Sequence, residues 1–373
     1  MKNNYIKILM TTDTVGGVWT YTLELCKALQ EEPISIYLAA MGGLPDENQE
    51  NQVRQLPNVT LYKSKYKLEW MQDPWDDLRK AKKWITSIYH TVIPDIVHFN
   101  NYAQLENFWQ APIITVYHSC VETWWQAVKG TTAPSSWKRY MELVRDSLNA
   151  SDVVVSPTRA LLQKASEAHY NTTPSQVIAN GHDPVSTKEI KKEKIIFCTG
   201  RIWDEAKNLQ SLCNIAAALP WPVYVAGDDI NPNTGEKAIL DNVYFLGKLS
   251  AKDTLDWMRR ASIFVSPTKY EPFGLAILEA ALAGCALTIS KLDTLEEVWE
   301  ENAVFFDPDH PRETLQAIMQ LIKYPRYLTK MAQKAQYHAQ QYSGYEMGRN
   351  YLKLYQNLLA TGRTHVEPLK SAI

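Results

Sequence analysis

What most limits the fold of this chain is an alternation of short apolar runs with segments of helical spacing, which runs its course twice. In the first pass, residues 5–10, 35–40, 59–62, 94–99, 113–117 and 152–155 read as strands. Residues 18–29 and Trp75–Val92 have helical spacing, the latter with Leu78, Ala81, Ile85, Ile88 and Val92 on one face. Composition then shifts near Asn180-Gly181-His182-Asp183-Pro184, and residues 188–194 are strongly charged. The alternation restarts beyond them, with strands expected at 195–199, Val223–Ala226, 243–246, 263–266 and 286–289. Strands alternating with helices call for a parallel, doubly wound sheet. A chain of 373 residues exceeds one ordinary core. We therefore expect an α/β protein of two Rossmann-like domains, 1–183 and 184–345, with their boundary between residues 178 and 195. A C-terminal segment, 346–373, is expected to be helical over 346–359.

Composition narrows the class of function. A net charge of −2 argues against a general nucleic-acid binder, which needs a basic face to neutralise phosphates. The five cysteines (26, 120, 198, 213 and 285) form no C-x-x-C pair, so reduced thiols and no zinc site are expected. The first apolar run, Ile8-Leu9-Met10, is too short for a secretory segment, and nothing reaches the apolar length of a membrane span. A cytoplasmic protein is expected. The basic stretch Lys63, Lys65, Lys67, Arg79, Lys80, Lys82 and Lys83 would allow peripheral contact with an anionic inner membrane surface. Glu69, Asp73, Asp76 and Asp77 dilute it, which favours a plain solvated face.

The densest motif is Glu271-Pro272-Phe273-Gly274-Leu275-Ala276-Ile277-Leu278-Glu279. A buried strand and a Pro-marked turn precede it, so Glu271 falls in a loop and Glu279 in the helix that follows. Backbone N–H groups at Phe273, Gly274 and Leu275 would open that helix and form an anion site at its positive end. Carboxylates on both sides of such a site suit a ligand with phosphate in its middle and hydroxyls at both ends, as a nucleotide sugar has. Arg201 and Lys207 follow a strand that ends in Gly200, an arrangement that describes a diphosphate clamp. Gly16-Gly17 occupies the first strand–helix turn, where glycine permits close approach of phosphate. His118 follows an apolar strand, where a lone histidine is usually structural. Trp19, Trp124 and Trp125 could line an acceptor side, and core packing explains them equally well.

The paired glutamates resemble the signature of the retaining GT-B glycosyltransferases of family 4. The resemblance extends through Gly16-Gly17-Val18, Thr115-Val116-Tyr117-His118, Asn180-Gly181, Thr199-Gly200-Arg201 with Lys207-Asn208, Val225-Ala226-Gly227-Asp228 and Phe245-Leu246-Gly247. It implies GT-B architecture, two Rossmann-like domains facing across a cleft, with the last helix crossing back to cover the first domain. It implies a metal-independent transfer, with retention, from a nucleotide-diphosphate sugar (UDP-, GDP- or ADP-sugar) to a hydroxyl acceptor in polysaccharide biosynthesis. That acceptor would be a glycan, a lipid-linked sugar or a small molecule. By the same resemblance, Arg201 and Lys207 neutralise the donor diphosphate, Glu279 holds the ribose, Glu271 lies near the donor sugar and His118 points at it. No metal or other cofactor is expected, because Arg201, Lys207 and a helix terminus can take over a cation's role. Two departures stand out. The Arg201–Lys207 loop is one residue longer than usual, and Ser290-Lys291-Leu292-Asp293 replaces a Gly-Gly pair, so donor identity does not transfer. The competing readings are a nucleotide-sugar epimerase or pseudo-glycosyltransferase on the same fold, and a non-catalytic nucleotide-sugar-binding subunit. A dehydrogenase is disfavoured, because no G-x-G-x-x-G follows the first strand.

Overall fold

The computed structural model describes residues 5–102, 109–169, 173–183, 190–231 and 234–362. The charged break was expected to include Pro184 and Lys188, which lie outside the described residues. The described residues fall into two compact units. Unit 1 lies within Met1–Trp125, Thr132–Gly181 and Gly344–Ile373, and unit 2 within Gln126–Thr131 and His182–Ser343.

Unit 1 begins β1 (Ile6–Asp13), α1 (Gly17–Ala28), β2 (Ile34–Met41), α2 (Glu47–Arg54), β3 (Val59–Lys63) and α3 (Trp75–Val92). It continues β4 (Ile96–Phe99), β5 (Ile113–Val116), α4 (Val121–Lys129, of which the residues up to Trp125 fall in unit 1) and α5 (Lys138–Asn149). It then runs β6 (Val153–Ser156), α6 (Arg159–His169) and β7 (Ser175–Val177). The strands form one parallel sheet in the order β3-β2-β1-β4-β5-β6-β7. Every residue of β4 and β5 is buried, as continuous apolar strands must be when helices cover both faces.

Unit 2 holds β8 (Glu193–Thr199), α7 (Leu209–Ala216), β9 (Val223–Ala226), β10 (Tyr244–Phe245) and α8 (Ala251–Arg260). It goes on to β11 (Ala261–Ser266), α9 (Leu275–Leu282), β12 (Ala286–Ser290) and α10 (Asp293–Trp299). β13 (Val304–Phe306), α11 (Pro311–Lys323) and α12 (Pro325–Ala339) complete it, again as a parallel sheet, in the order β10-β9-β8-β11-β12-β13. Glu193 and Lys194, read from sequence as part of the charged break, are the exposed first residues of β8.

α13 (Gly344–Thr361) belongs to unit 1 and packs against α1. Gly348 makes this approach close, since a Cβ there would lie 2.7 Å from the Ala28 Cβ. Across the same unit, His98 of β4 is fully buried with its Nδ1 2.8 Å from the Tyr355 hydroxyl of α13.

Strand order reverses between β1 and β4 in unit 1 and between β8 and β11 in unit 2. At such a reversal the crossover helices leave in opposite directions, opening a crevice at the carboxyl ends of the strands. The motif residues follow these strands.

Candidate active site

In unit 2 the site begins where β8 meets β9. Gly227 has φ 153°, and a Cβ there would fall 1.7 Å from the Gly200 carbonyl oxygen, so only glycine lets the two strand ends approach. After Gly200 the longer loop does specific work. Asp204 accepts from the Ala206 N–H (3.0 Å), capping a short turn over Glu205–Lys207, and its other oxygen accepts from Arg201 Nη2 at 2.7 Å. Asp204 is almost fully buried while the Arg201 side chain is 41% exposed, so the guanidinium is anchored at one edge and open at the rest. Its carbon lies 5.3 Å from the centre of the Trp203 ring.

Asn208 takes a left-handed conformation (φ 51°), and its amide donates to the carbonyls of Pro267 and Pro308, both at 3.0 Å. The Ala206 carbonyl accepts from the Thr268 hydroxyl and from the Lys269 N–H, each at 2.7 Å. These bonds dock the Lys207 turn on the loop leaving β11, and they bring Lys207 Nζ to 2.7 Å from Glu271 Oε2. The ion pair is less than a quarter exposed at both partners. The Thr294 hydroxyl donates to the Glu271 carbonyl (2.6 Å), which ties the Ser290–Asp293 departure from the family pattern to the same loop.

Gly274 begins α9 in a left-handed conformation (φ 91°), and a Cβ there would meet the Ile277 side chain at 2.8 Å. Phe273 is buried, with its ring 5.6 Å from that of Tyr342, so what it offers a ligand is its backbone. Glu279 is the fifth residue of α9 and half-buried. Arg201, Lys207, Glu271 and the start of α9 thus share the carboxyl-end side of the β8–β11 reversal. Among the described residues no group of three or more His, Cys, Asp or Glu is placed to hold a metal ion.

In unit 1, Gly16 and Gly17 are exposed at the β1–α1 turn, which the Asp13 carboxylate braces by accepting from the Val15 N–H at 3.0 Å. His118 follows β5 and is half-buried. Its Nε2 lies 2.8 Å from Asn100 Oδ1, and the edge-on ring of Tyr21 has its centre 4.6 Å away. Burial pulls the imidazole down to about 3, so it is neutral at ordinary pH. Trp19 corrects one expectation. It is 5% exposed, packs with Ala40 and Val53, and donates from Nε1 to Gln52, so it is a core side chain rather than an acceptor-lining one. Trp124 and Trp125 are half-buried on α4 with ring centres 6.0 Å apart.

Sequence reasoning missed Asp204, Asn208 and Thr294, and in unit 1 Asn100. The first three act through contacts distant in sequence or through a side chain inside a loop. Asn100-Asn101, placed directly after an apolar strand, was the one visible signal.

Two family models match the chain. The glycosyltransferase family 4 model covers residues 15–185, and the glycosyl transferases group 1 model covers residues 193–324. The lipopolysaccharide core biosynthesis mannosyltransferase LpsB of Rhizobium meliloti is 26% identical over 158 residues, 35% of this chain and 44% of that protein. A Campylobacter jejuni enzyme, N,N'-diacetylbacillosaminyl-diphospho-undecaprenol alpha-1,3-N-acetylgalactosaminyltransferase, is 26% identical over 141 residues, 37% of each chain. Both matches span less than half of the relative's length. Among solved structures, sucrose-phosphate synthase from Thermosynechococcus elongatus aligns with a TM-score of 0.79 at 16% identity, covering 96% of this chain and 100% of that one. Anabaena HepE in complex with UDP and glucose aligns at 0.72 with 16% identity, covering 95% and 100%. At that identity the likeness speaks for the fold alone.

Proposed function

The chain belongs to the family 4 (group 1) glycosyltransferases, and on that premise we propose that it transfers a sugar, with retention and without a metal, from a nucleotide-diphosphate sugar to a hydroxyl acceptor. One observation carries this reading: Lys207 and Glu271 are paired at 2.7 Å beside Arg201, at the carboxyl end of the β8–β11 reversal. Two cations and the N-terminus of α9 supply the positive charge that a departing diphosphate needs, which is the work a divalent metal would otherwise do. Arg201 has a planar fork open to phosphate oxygens, and Lys207 adds a compact charge. Glu271, held by Lys207, lies where a carboxylate can position a sugar and answer positive charge developing at its anomeric carbon. Glu279, inside the helix, suits the ribose hydroxyls.

The polysaccharide and lipid-linked contexts of the two bacterial relatives support a sugar or lipid-linked sugar as acceptor. Among the described residues no helix is long and apolar enough to cross a membrane. The test is a thermal-shift screen of UDP, GDP, ADP and their sugars, followed by turnover with and without EDTA and the anomeric configuration of the product by NMR. A true donor at 100 times its Kd raises stability by about 2.7 kcal/mol. Loss of turnover in EDTA with recovery in manganese would refute metal independence, and an inverted product would refute retention.

A further inference from the structure

Among the described residues His118 touches one side chain through a hydrogen bond, and that side chain decides which of its two nitrogens carries the proton. Asn100 is 8% exposed, and its amide is fixed at both ends. Asn100 Nδ2 lies 2.8 Å from the Thr11 carbonyl oxygen. A carbonyl only accepts, so the NH2 group must occupy that end and Oδ1 must occupy the other. The Asn100 N–H donates to Thr11 Oγ1 (2.9 Å), whose own hydroxyl donates to Asn101 Oδ1 (3.0 Å), so the hydroxyl cannot relieve a flipped amide. Asn100 Oδ1 also only accepts, and at 2.8 Å from His118 Nε2 it demands a proton there. With Nε2 protonated and the ring neutral, Nδ1 is a bare lone pair, and no described residue bonds to it. The titratable groups facing this ring are Tyr21 on α1 and His98 on β4.

We propose that Asn100 is a positioning residue that locks His118 as the Nε2–H tautomer, so that His118 offers a hydrogen-bond acceptor to the substrate sugar and selects a neutral, hydroxyl-bearing sugar over a sugar acid. This rests on the reading that His118 faces a sugar of the substrate. A hydroxyl completes the bond to Nδ1. A carboxylate meets a lone pair with its own lone pairs and loses its water without replacement.

Two measurements on the full chain test it. Long-range proton–nitrogen spectra of protein labelled with 15N-histidine, with His118 identified by its loss in His118→Gln, should show Nε2 protonated and Nδ1 bare. In Asn100→Ala the second tautomer should become populated. A protonated Nδ1 in the natural protein, or unchanged spectra in Asn100→Ala, overturns the lock. Calorimetry should then find UDP-glucose bound about tenfold to hundredfold more tightly than UDP-glucuronate, with GDP-mannose and GDP-mannuronate as a second pair. Asn100→Asp, which places a charge beside Nε2 and favours a proton on Nδ1 as well, should narrow that ratio. Equal affinity for sugar and sugar acid in the natural protein overturns the selectivity. If none of these nucleotide sugars binds, the selectivity falls, the donor reading is judged by the wider screen of UDP, GDP, ADP and their sugars, and the spectra still report the tautomer.

Discussion

Lys207 and Glu271 hold each other in a pair that is mostly shielded from water, so a diphosphate that recruits Lys207 competes with Glu271 for it. That competition separates the two glutamates. Glu271→Ala releases Lys207 to the diphosphate, so donor Kd should stay level or tighten while kcat falls, because the lost interaction is one that grows in the transition state. Glu279→Ala removes a contact made before and during reaction, so it should raise donor Kd and KM more than it lowers kcat. Steady-state kinetics at saturating acceptor, with donor Kd by calorimetry, distinguishes these patterns; their exchange would defeat the assignment. Arg201→Ala should weaken nucleoside-diphosphate binding by roughly 1.5–3 kcal/mol, about tenfold to hundredfold. Calorimetry showing unchanged affinity in the folded variant would take Arg201 out of the clamp. Both cations were legible in the sequence as residues after a strand end, and both carboxylates as the loop and helix members of one motif. Their pairing was not, because it depends on the Asn208 and Thr268 bonds that dock one loop on another some sixty residues away. Trp19 stayed open between the core and the acceptor side because a glycine loop and an aromatic next to it say nothing about which side of the helix faces the sheet.

The elements show the same division. α3 was legible to its ends because one apolar stripe runs its whole length, and it occupies Trp75–Val92 as expected. α2 gave no stripe, since Val53 is its one buried residue, yet its start was written in a capping box between Asp46 and Gln49. β7 and β13, at three residues each, are too short for a periodic signal and exist because a neighbouring strand pairs with them. α13 begins at Gly344, two residues before the expected start. Inside it, Gly348 sets two effects against each other. Gly348→Ala gains about 1 kcal/mol of helix propensity, but the new Cβ would lie 2.7 Å from the Ala28 Cβ and also crowd that residue's backbone. Overpacking of this kind costs about 1–3 kcal/mol, so a net loss of up to about 2 kcal/mol is expected, and a larger one in Gly348→Val. Urea unfolding measures it. A Gly348→Ala protein more stable than the natural one would show that α1 and α13 can move apart freely.

At the scale of the whole molecule, the buried titratable groups concentrate in unit 1. Burial pulls His98 and His118 down to about 3 and His169 to about 4, and it pushes Glu69 up to about 7, with Asp13 adding to the rise. Each histidine takes a proton in the unfolded chain below about pH 6.5 that the folded unit refuses until pH 3 or 4. Stability therefore falls on acidification through that window, since the unfolded state binds more protons. Glu69 acts in the opposite sense. Between about pH 4.5 and 7 it keeps a proton in the folded unit that the unfolded chain has released, so it favours folding as pH drops. Where the windows overlap, three histidines oppose one glutamate, leaving a net two protons and a slope of at most about 2.7 kcal/mol per pH unit. Three against one decides the sign: unit 1 should loosen as pH falls from 6.5 toward 4.5, and it should do so before unit 2, because His98, His118 and His169 all lie in unit 1. Hydrogen exchange read by mass spectrometry, corrected for the pH dependence of exchange itself, resolves the units. Peptides from β4, β5 and α13 should lose protection at pH 5 relative to pH 7 while those from β8, β11 and α9 keep theirs. Glu69→Gln removes the opposing group and should steepen the loss. Earlier opening of unit 2, or a gain of protection in unit 1 on acidification, would mean that those histidines take up protons in the folded protein and that burial does not hold them neutral.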